Sequence, residues 1–504
     1  MDEPHTPAAP QAEAGSVAGT AIGTGAALAV GFLAFCELCS GLLQTYVPVL
    51  AANIGAEYRV GAAGLNWLNV VLLLSSALGV PILSKCGDLF GHRRVLRIAV
   101  VLVALGSILV AVAPNYGLFL TGRALQGPFA AFLPLEVAIV RGRLTGAATR
   151  RGIGYLVGAL TLGATIGATT AGSINNWMPS VHWTLAVPAA LFAACAVICF
   201  TLIPPGAPVQ SGAGGRASID IRGFAGLSIA LAALLLGLAL GPTHGWSTPW
   251  VIGLLIAAVL TGALWVRYEL LVPAPGIDLR LVASSGLGLP FLAALGFGVG
   301  IYGAQVANAT FLASDPAVAG YGLGLTSQQI GYVTMALTVS AALFAAWCAR
   351  AARRLGLHLT IAIGLALIAA GYLLLLPLHT HVWHFVLSQL IAGAGVGFAS
   401  GAYPALVIEA SPASDVGIAN GVYNTLRALG GALAGAVFAA LLTAMVVPAK
   451  GVPSLSGYLL LWTILAALLL ASAAIVLAAR RGVRSASRLS LSAEPSAGPA
   501  PVAS

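Results

Sequence analysis

The chain has 504 residues, of which 59% are hydrophobic and only 7% charged, and its mean hydropathy is +0.98. A water-soluble protein of this length carries about 25% charged residues, so composition excludes a soluble domain. The net charge of +9 is spread over short loops rather than gathered in a patch, which excludes a nucleic-acid binder and suits anionic lipid headgroups instead.

The first 20 residues are rich in Pro and Ala and lack Lys and Arg, so no cleaved signal peptide is expected. Apolar blocks of about 20 residues follow, the length a helix needs to cross the hydrocarbon layer, where unpaired backbone groups are not tolerated. Fourteen spans are predicted near 24–50, 66–86, 95–113, 117–140, 153–174, 182–203, 223–241, 250–266, 287–312, 328–349, 359–378, 383–405, 421–446 and 458–479. Of the 23 Lys and Arg residues, all but Arg59, Arg123, Arg427 and Lys450 then fall on the side that holds both termini. Basic loops stay inside, so both ends are expected in the cytoplasm, in a plasma (inner) membrane.

The predicted organisation is all-α, six spans plus two plus six. A tail (1–23) precedes a first bundle (24–203), a Pro/Gly/Ser-rich linker (204–222), two inserted spans (223–270), a second bundle (271–482) and a disordered tail (483–504). Paired bundles with a midplane site are a recurrent carrier plan. Glycine is frequent at 62 residues, and small residues let helices in lipid approach closely.

Span 1 carries Glu37, with Ser40, Gly41 and Gln44 on the same helical face. A carboxyl group in hydrocarbon is costly and usually functional. Glu37 reads as a proton or substrate carboxylate, the alternative being a structural Glu paired to a neighbouring helix. Arg123 and Glu136 lie within span 4, thirteen residues apart, which places them on roughly opposite faces unless Pro128 and Pro134 bend the helix. Tyr302, Gln305 and Asn308 of span 9 either line a cavity or hydrogen-bond between helices. Asn420, Asn424, Arg427, Gly431 and Gly435 share a face of span 13, for gating or static packing. In the turn after span 2, Gly91 permits a sharp reversal and Arg93 and Arg94 keep the loop inside. Asp88 there either faces the N-terminus of another helix or is incidental.

The cysteines, among them the Cys36–Cys39 pair, lie in spans or at their inner ends, and neither disulfides nor a metal site is expected. The string "GAGVGFASG" from Gly393 lies within a span and lacks the strand that a nucleotide loop needs. His379, His381 and His384 cluster near an outer turn. No nucleophile-and-base set is present, which excludes an enzyme.

The run "WLNVVLLLSSALGVPILSKCGDLFGHRRVL" from Trp67 resembles the span 2 signature of the major facilitator superfamily, in its fourteen-helix drug:proton antiporter branch. Pro81, Asp88, Gly91, Arg93 and Arg94 match, and Ser84 stands where a Gly is usual. "RALQGPFAAFLP" from Arg123 is similar to the fourth-span motif, with Arg123, Gln126, Gly127 and Pro134 in place. "HGWSTPWVIGLL", "WVRYELLVPAPGIDLRL", "YGLGLTSQQIG" and "GIANGVYNTLRALGGALAGAVF" resemble later landmarks of the branch. The fifth-span antiporter motif is kept at Gly158, Gly163, Gly167 and Gly172. Ala168 replaces its Pro, however, Ala171 replaces a Gly, and Cys39 stands where the usual first-span acid falls.

The resemblance implies two six-helix bundles plus two helices, and outward transport of hydrophobic or cationic small molecules by alternating access. It implies a proton-coupling role for Arg123, beside the buried carboxyls Glu37 and, as a weaker candidate, Glu136 read from the residues themselves, and gating by Asp88, Gly91, Arg93, Arg94 and Arg427. The cavity would be lined by Gln44, Gln126, Tyr302, Gln305, Asn308 and Asn424. The expected partners are lipid, protons and a small-molecule substrate, with the proton gradient as driving force, no cofactor and no oligomeric state set. A proton-independent facilitator or importer, or a non-transporting sensor, stays open as an alternative.

Overall fold

The computed structural model describes residues 24–144, 146–202, 220–273, 275, 280, 287–410, 416–448 and 451–492. Among these residues, fourteen helices are long and apolar enough to cross a membrane. Spans 1 to 6 are Leu28–Val49, Trp67–Gly87, His92–Val112, Tyr116–Arg141, Arg151–Trp177 and Val181–Thr201. Spans 7 and 8 are Ile221–Leu238 and Pro249–Leu271. Spans 9 to 14 are Gly288–Ala313, Ser327–Leu355, Leu357–Leu375, Val382–Ala410, Ala419–Ala444 and Leu455–Arg480. An even number of crossings puts the start of span 1 and the end of span 14 on one face, the termini face, opposite a far face.

The packing repeats. Spans 1 and 5, 2 and 4, 3 and 4, and 3 and 6 lie against each other, and so do spans 9 and 13, 10 and 12, 11 and 12, and 11 and 14. Two bundles of one plan therefore face each other. They meet along two seams, span 2 against span 13 and span 5 against span 10, which the same eight-span shift exchanges. Spans 7 and 8 pair with each other, and span 7 leans on span 13. Span 8 is the most lipid-facing, with 11% of its apolar window buried and Val259, Leu260 and Leu264 exposed. In water such a face would aggregate; in lipid it is already solvated.

Backbone approach within each bundle depends on glycine. A Cβ at Gly41 would strike the Leu160 carbonyl of span 5, and one at Gly163 would strike the Leu38 carbonyl of span 1. The second bundle repeats the arrangement: Gly298 fits against the Arg427 carbonyl and Gly430 against the Leu295 carbonyl. Each glycine thus meets the carbonyl three residues before its partner glycine, a clasp of Cα–H···O type that no side chain could enter. Gly167 also packs on span 1, against Leu42.

The fifth-span glycines do not form one face. Gly172 crosses to the other bundle and packs against Ser327 and Gln328 of span 10, whereas a Cβ at Gly158 would meet nothing within 4 Å. Residues 158, 163, 167 and 172 advance unevenly around a 3.6-residue helix, so they part among three surroundings. With Ala168 in place of proline, the helix runs unbroken over Gly146–Trp177. The Ala168 carbonyl closes against Gly331 of span 10, and Thr165 Oγ1 donates to Thr338 Oγ1 at 3.1 Å.

On the termini face, Gly91 joins spans 2 and 3 at φ +94°, and Gly356 joins spans 10 and 11 at φ +84°. A Cβ disfavours that region, and both bundles solve the reversal in the same way. Gly163→Ala and Gly430→Ala are each expected to cost about 1–3 kcal/mol of stability and to lower the melting temperature of the purified protein. Gly158→Ala should leave it unchanged or slightly higher; equal losses at positions 158 and 163 would contradict the clasp.

Candidate functional site

Span 4 is wound in three pieces: an α-helix Tyr116–Gln126, a 3-10 segment Gly127–Ala131 and an α-helix Phe132–Arg141. Proline explains the change. Pro128 has no N–H for the Ala124 carbonyl four residues back, and lipid offers no water to replace it. Gly127 N–H and the Ser75 hydroxyl, at 2.6 Å, donate to that carbonyl instead. Ser76 Oγ, at 2.9 Å, donates to the carbonyl of Gly127. Two adjacent serines of span 2 thus replace what the proline removes.

The rewound segment separates the fates of Arg123 and Glu136, both fully buried. Arg123 Nε donates to the Leu68 carbonyl at 3.1 Å and Nη1 to Gln126 Oε1 at 2.7 Å, while Gln126 Nε2 donates to Ser107 Oγ at 3.0 Å. This network ties spans 2, 3 and 4 together inside the first bundle. Gln126 is therefore a buried bridge and lines neither of the two cavities described below, where the sequence had placed it on the cargo side. A relay from Glu37 through Arg123 also lacks geometry, because the guanidinium donates to a backbone carbonyl and an amide.

Glu136 is the group that Glu37 meets. The two interact electrostatically, both are buried, and none of their four carboxyl oxygens makes a hydrogen bond to the described chain. Beside them, Cys36 Sγ of span 1 lies 3.7 Å from Cys199 Sγ of span 6. These groups lie inside the first bundle, with no cation within ion-pair distance of either carboxylate among the described residues.

Glu37 also opens onto the space between the bundles. A cavity of about 50 Å³ is lined by Glu37, Ser40 and Gln44 of span 1, by Leu73 and Ser76 of span 2 and by Phe129 of span 4. Across from them stand Tyr302 of span 9 and Asn424 and Arg427 of span 13. Such a volume holds a few waters. A second cavity, of about 60 Å³, lies further toward the far face between Thr45, Gln305, Asn308, Thr338 and Tyr372.

The span 9 residues therefore divide. The helix breaks after Tyr302 and restarts at Gln305. Tyr302 faces the first cavity, and Gln305 and Asn308 face the second. Gln305 Oε1 accepts from Asn69 of span 2 at 3.1 Å, across the seam, and Asn308 Oδ1 accepts from Trp462 of span 14 at 2.9 Å. Asn424 Nδ2 donates to the Asn420 carbonyl one turn back. Of the gating residues, Gly91 forms the turn, Arg93 is partly buried and Arg94 is exposed. The side chain of Asp88 lies outside the described residues. On the far face the bundles are joined by Asn53 with Ser327 and by Asn176 Nδ2 donating to Gln328 Oε1 at 2.9 Å.

Residue patterns did not single out Ser75, Ser76, Ser107 or the cysteines around Glu136. A proline inside a span was the available signal, since it requires donors from a neighbour.

Two six-helix sets of the same orientation around a polar cavity define a membrane transporter rather than an enzyme. The chain belongs to the Major Facilitator Superfamily, whose sequence profile matches residues 33–310, 215–435 and 290–503. Among its relatives is the multidrug resistance protein Stp of Mycobacterium tuberculosis (strain CDC 1551 / Oshkosh), 26% identical over 422 residues, which span 81% of this chain and 76% of Stp. A triacylglyceride transporter of Mycolicibacterium smegmatis is also 26% identical, over 425 residues, or 77% and 71% of the two chains. Among solved structures, a variant of the nucleoside transporter NupG superposes with a TM-score of 0.61 at 17% identity, over 90% of this chain and 99% of that one. The chain is thus a multi-pass membrane transporter of small molecules.

The Arg123 network predicts its own test. Gln126→Leu leaves a buried guanidinium N–H without an acceptor, at a cost of about 1–3 kcal/mol. It should lower the melting temperature more than Ser107→Ala does; the reverse order would show that Gln126 does not hold Arg123.

Proposed function

We propose that the protein exports hydrophobic or cationic small molecules by alternating access, in exchange for protons. The observation that carries this reading is the pair Glu37 and Glu136. Two buried carboxyl groups within electrostatic reach, and without a counter-ion among the described residues, disfavour carrying two charges at once. The pair is therefore suited to bind a proton on one side and release it on the other. Glu37 belongs both to the pair and to the cavity wall, so a cation entering the cavity competes with the proton for the same carboxylate. That competition is what links the two fluxes.

The proton gradient would be the driving force, with no cofactor. The termini face would be cytoplasmic in the plasma (inner) membrane, as the basic loops favour. The bundles are clasped on the far face, so opening there would separate Asn53 from Ser327 and Asn176 from Gln328. The name of the Stp relative supports a drug-type cargo. A second reading has its own observation: span 5 is unbroken at Ala168, and a facilitator without proton coupling needs no bend there.

Vesicles of known orientation, preloaded with protons and given candidate cargoes, separate the two readings. Antiport predicts cargo-dependent proton movement in the native chain and a fall of at least about tenfold in Glu37→Gln and in Glu136→Gln. Cargo flux without proton movement would overturn coupling in favour of the facilitator.

A further inference from the structure

Two arginines lie within the spans, and they are treated differently. Arg123 donates through Nε to a carbonyl and through Nη1 to an amide, with Nη2 making no hydrogen bond among the described residues. Arg427 lies eleven residues into its helix from Val416, about 16 Å at 1.5 Å per residue, too deep for its head to reach the interface. Its Nε makes no hydrogen bond, and no carboxylate lies within ion-pair distance among the described residues.

What Arg427 has is aromatic. Its guanidinium carbon lies 5.6 Å from the ring centre of Tyr423 and 6.0 Å from that of Tyr302. Tyr423 stacks on Tyr403 at 5.3 Å, and Tyr403 stacks on Phe297 at 5.5 Å. The Gly298 clasp pins the backbone of Arg427 from the other side. Ring faces steady a guanidinium, and the Tyr423 hydroxyl also lies within reach of it; the Nε edge stays open to a carboxylate or sulfonate. This arginine lines the cavity that Glu37 lines from the opposite bundle.

We propose that the preferred cargo is zwitterionic: an aromatic or apolar body carrying an anionic group that Arg427 receives and an amine that Glu37 receives. The inference rests on the reading above that this cavity is the cargo site. A simple cation would enter against the charge of Arg427. A simple anion would enter against an ionised Glu37 and would bind best together with the proton, the wrong sign for exchange. A zwitterion answers both walls and still displaces the proton.

The test is equilibrium binding to the full chain in lipid nanodiscs, with three probes on one skeleton: an aminomethyl naphthoate, its methyl ester, which keeps only the cation, and its N-acetyl derivative, which keeps only the anion. The zwitterion should bind at least about tenfold more tightly than either, the scale of one charge-assisted contact. Arg427→Gln should reduce zwitterion binding to the level of the ester without weakening the ester itself, and Arg427→Lys should restore part of the preference. Equal binding of zwitterion and ester to the native chain overturns the proposal without any variant, as does absence of zwitterion binding at millimolar concentration. The readout is independent of proton movement, so loss of coupling in vesicles with the zwitterion preference intact would remove antiport and leave this inference standing.

Discussion

Everything in this structure follows from the absence of water around the backbone. In hydrocarbon a helix gains nothing by hiding leucines, so its neighbours must be held by fit. The reciprocal glycine clasps, Gly41 with Gly163 and Gly298 with Gly430, supply that fit once in each bundle. Between the bundles, backbone approaches at Gly172 and Gly331 are joined by side-chain hydrogen bonds such as Asn69 with Gln305 and Thr165 with Thr338.

The same constraint shapes the polar interior. Pro128 breaks the ladder of span 4, Ser75 and Ser76 repair it, and the rewound helix turns Glu136 toward span 1. A defect that water would heal elsewhere becomes a means of aiming a carboxyl group. Arg123 is engaged in holding the defective segment to spans 2 and 3, which leaves Glu37 and Glu136 without a cation among the described residues.

The fold was legible because its signals are local. Apolar length marks each span, and a glycine beside basic residues marks the turn at Gly91. The site was legible only where it depends on one helix. Glu37 stands out in an apolar span whatever surrounds it. The rotation of Glu136 relative to Arg123 depends on serines from another span, and Gly158 and Gly163 are the same residue type in one motif with opposite surroundings. Tyr302 and Gln305 are three residues apart and face different cavities, because a break at Gly303 and Ala304 intervenes. Such distinctions belong to pairs of helices, and a single helix does not carry them.

The side-chain hydrogen bonds of the far-face junction join amides and a hydroxyl: Asn53 with Ser327 and Asn176 with Gln328. Neutral hydrogen bonds exchange with water at little net loss, and dissolved salt does not screen them as it screens ion pairs. The far-face junction is therefore held by contacts that dissolved salt does not loosen, and its strength follows the exchange of neutral hydrogen bonds with water.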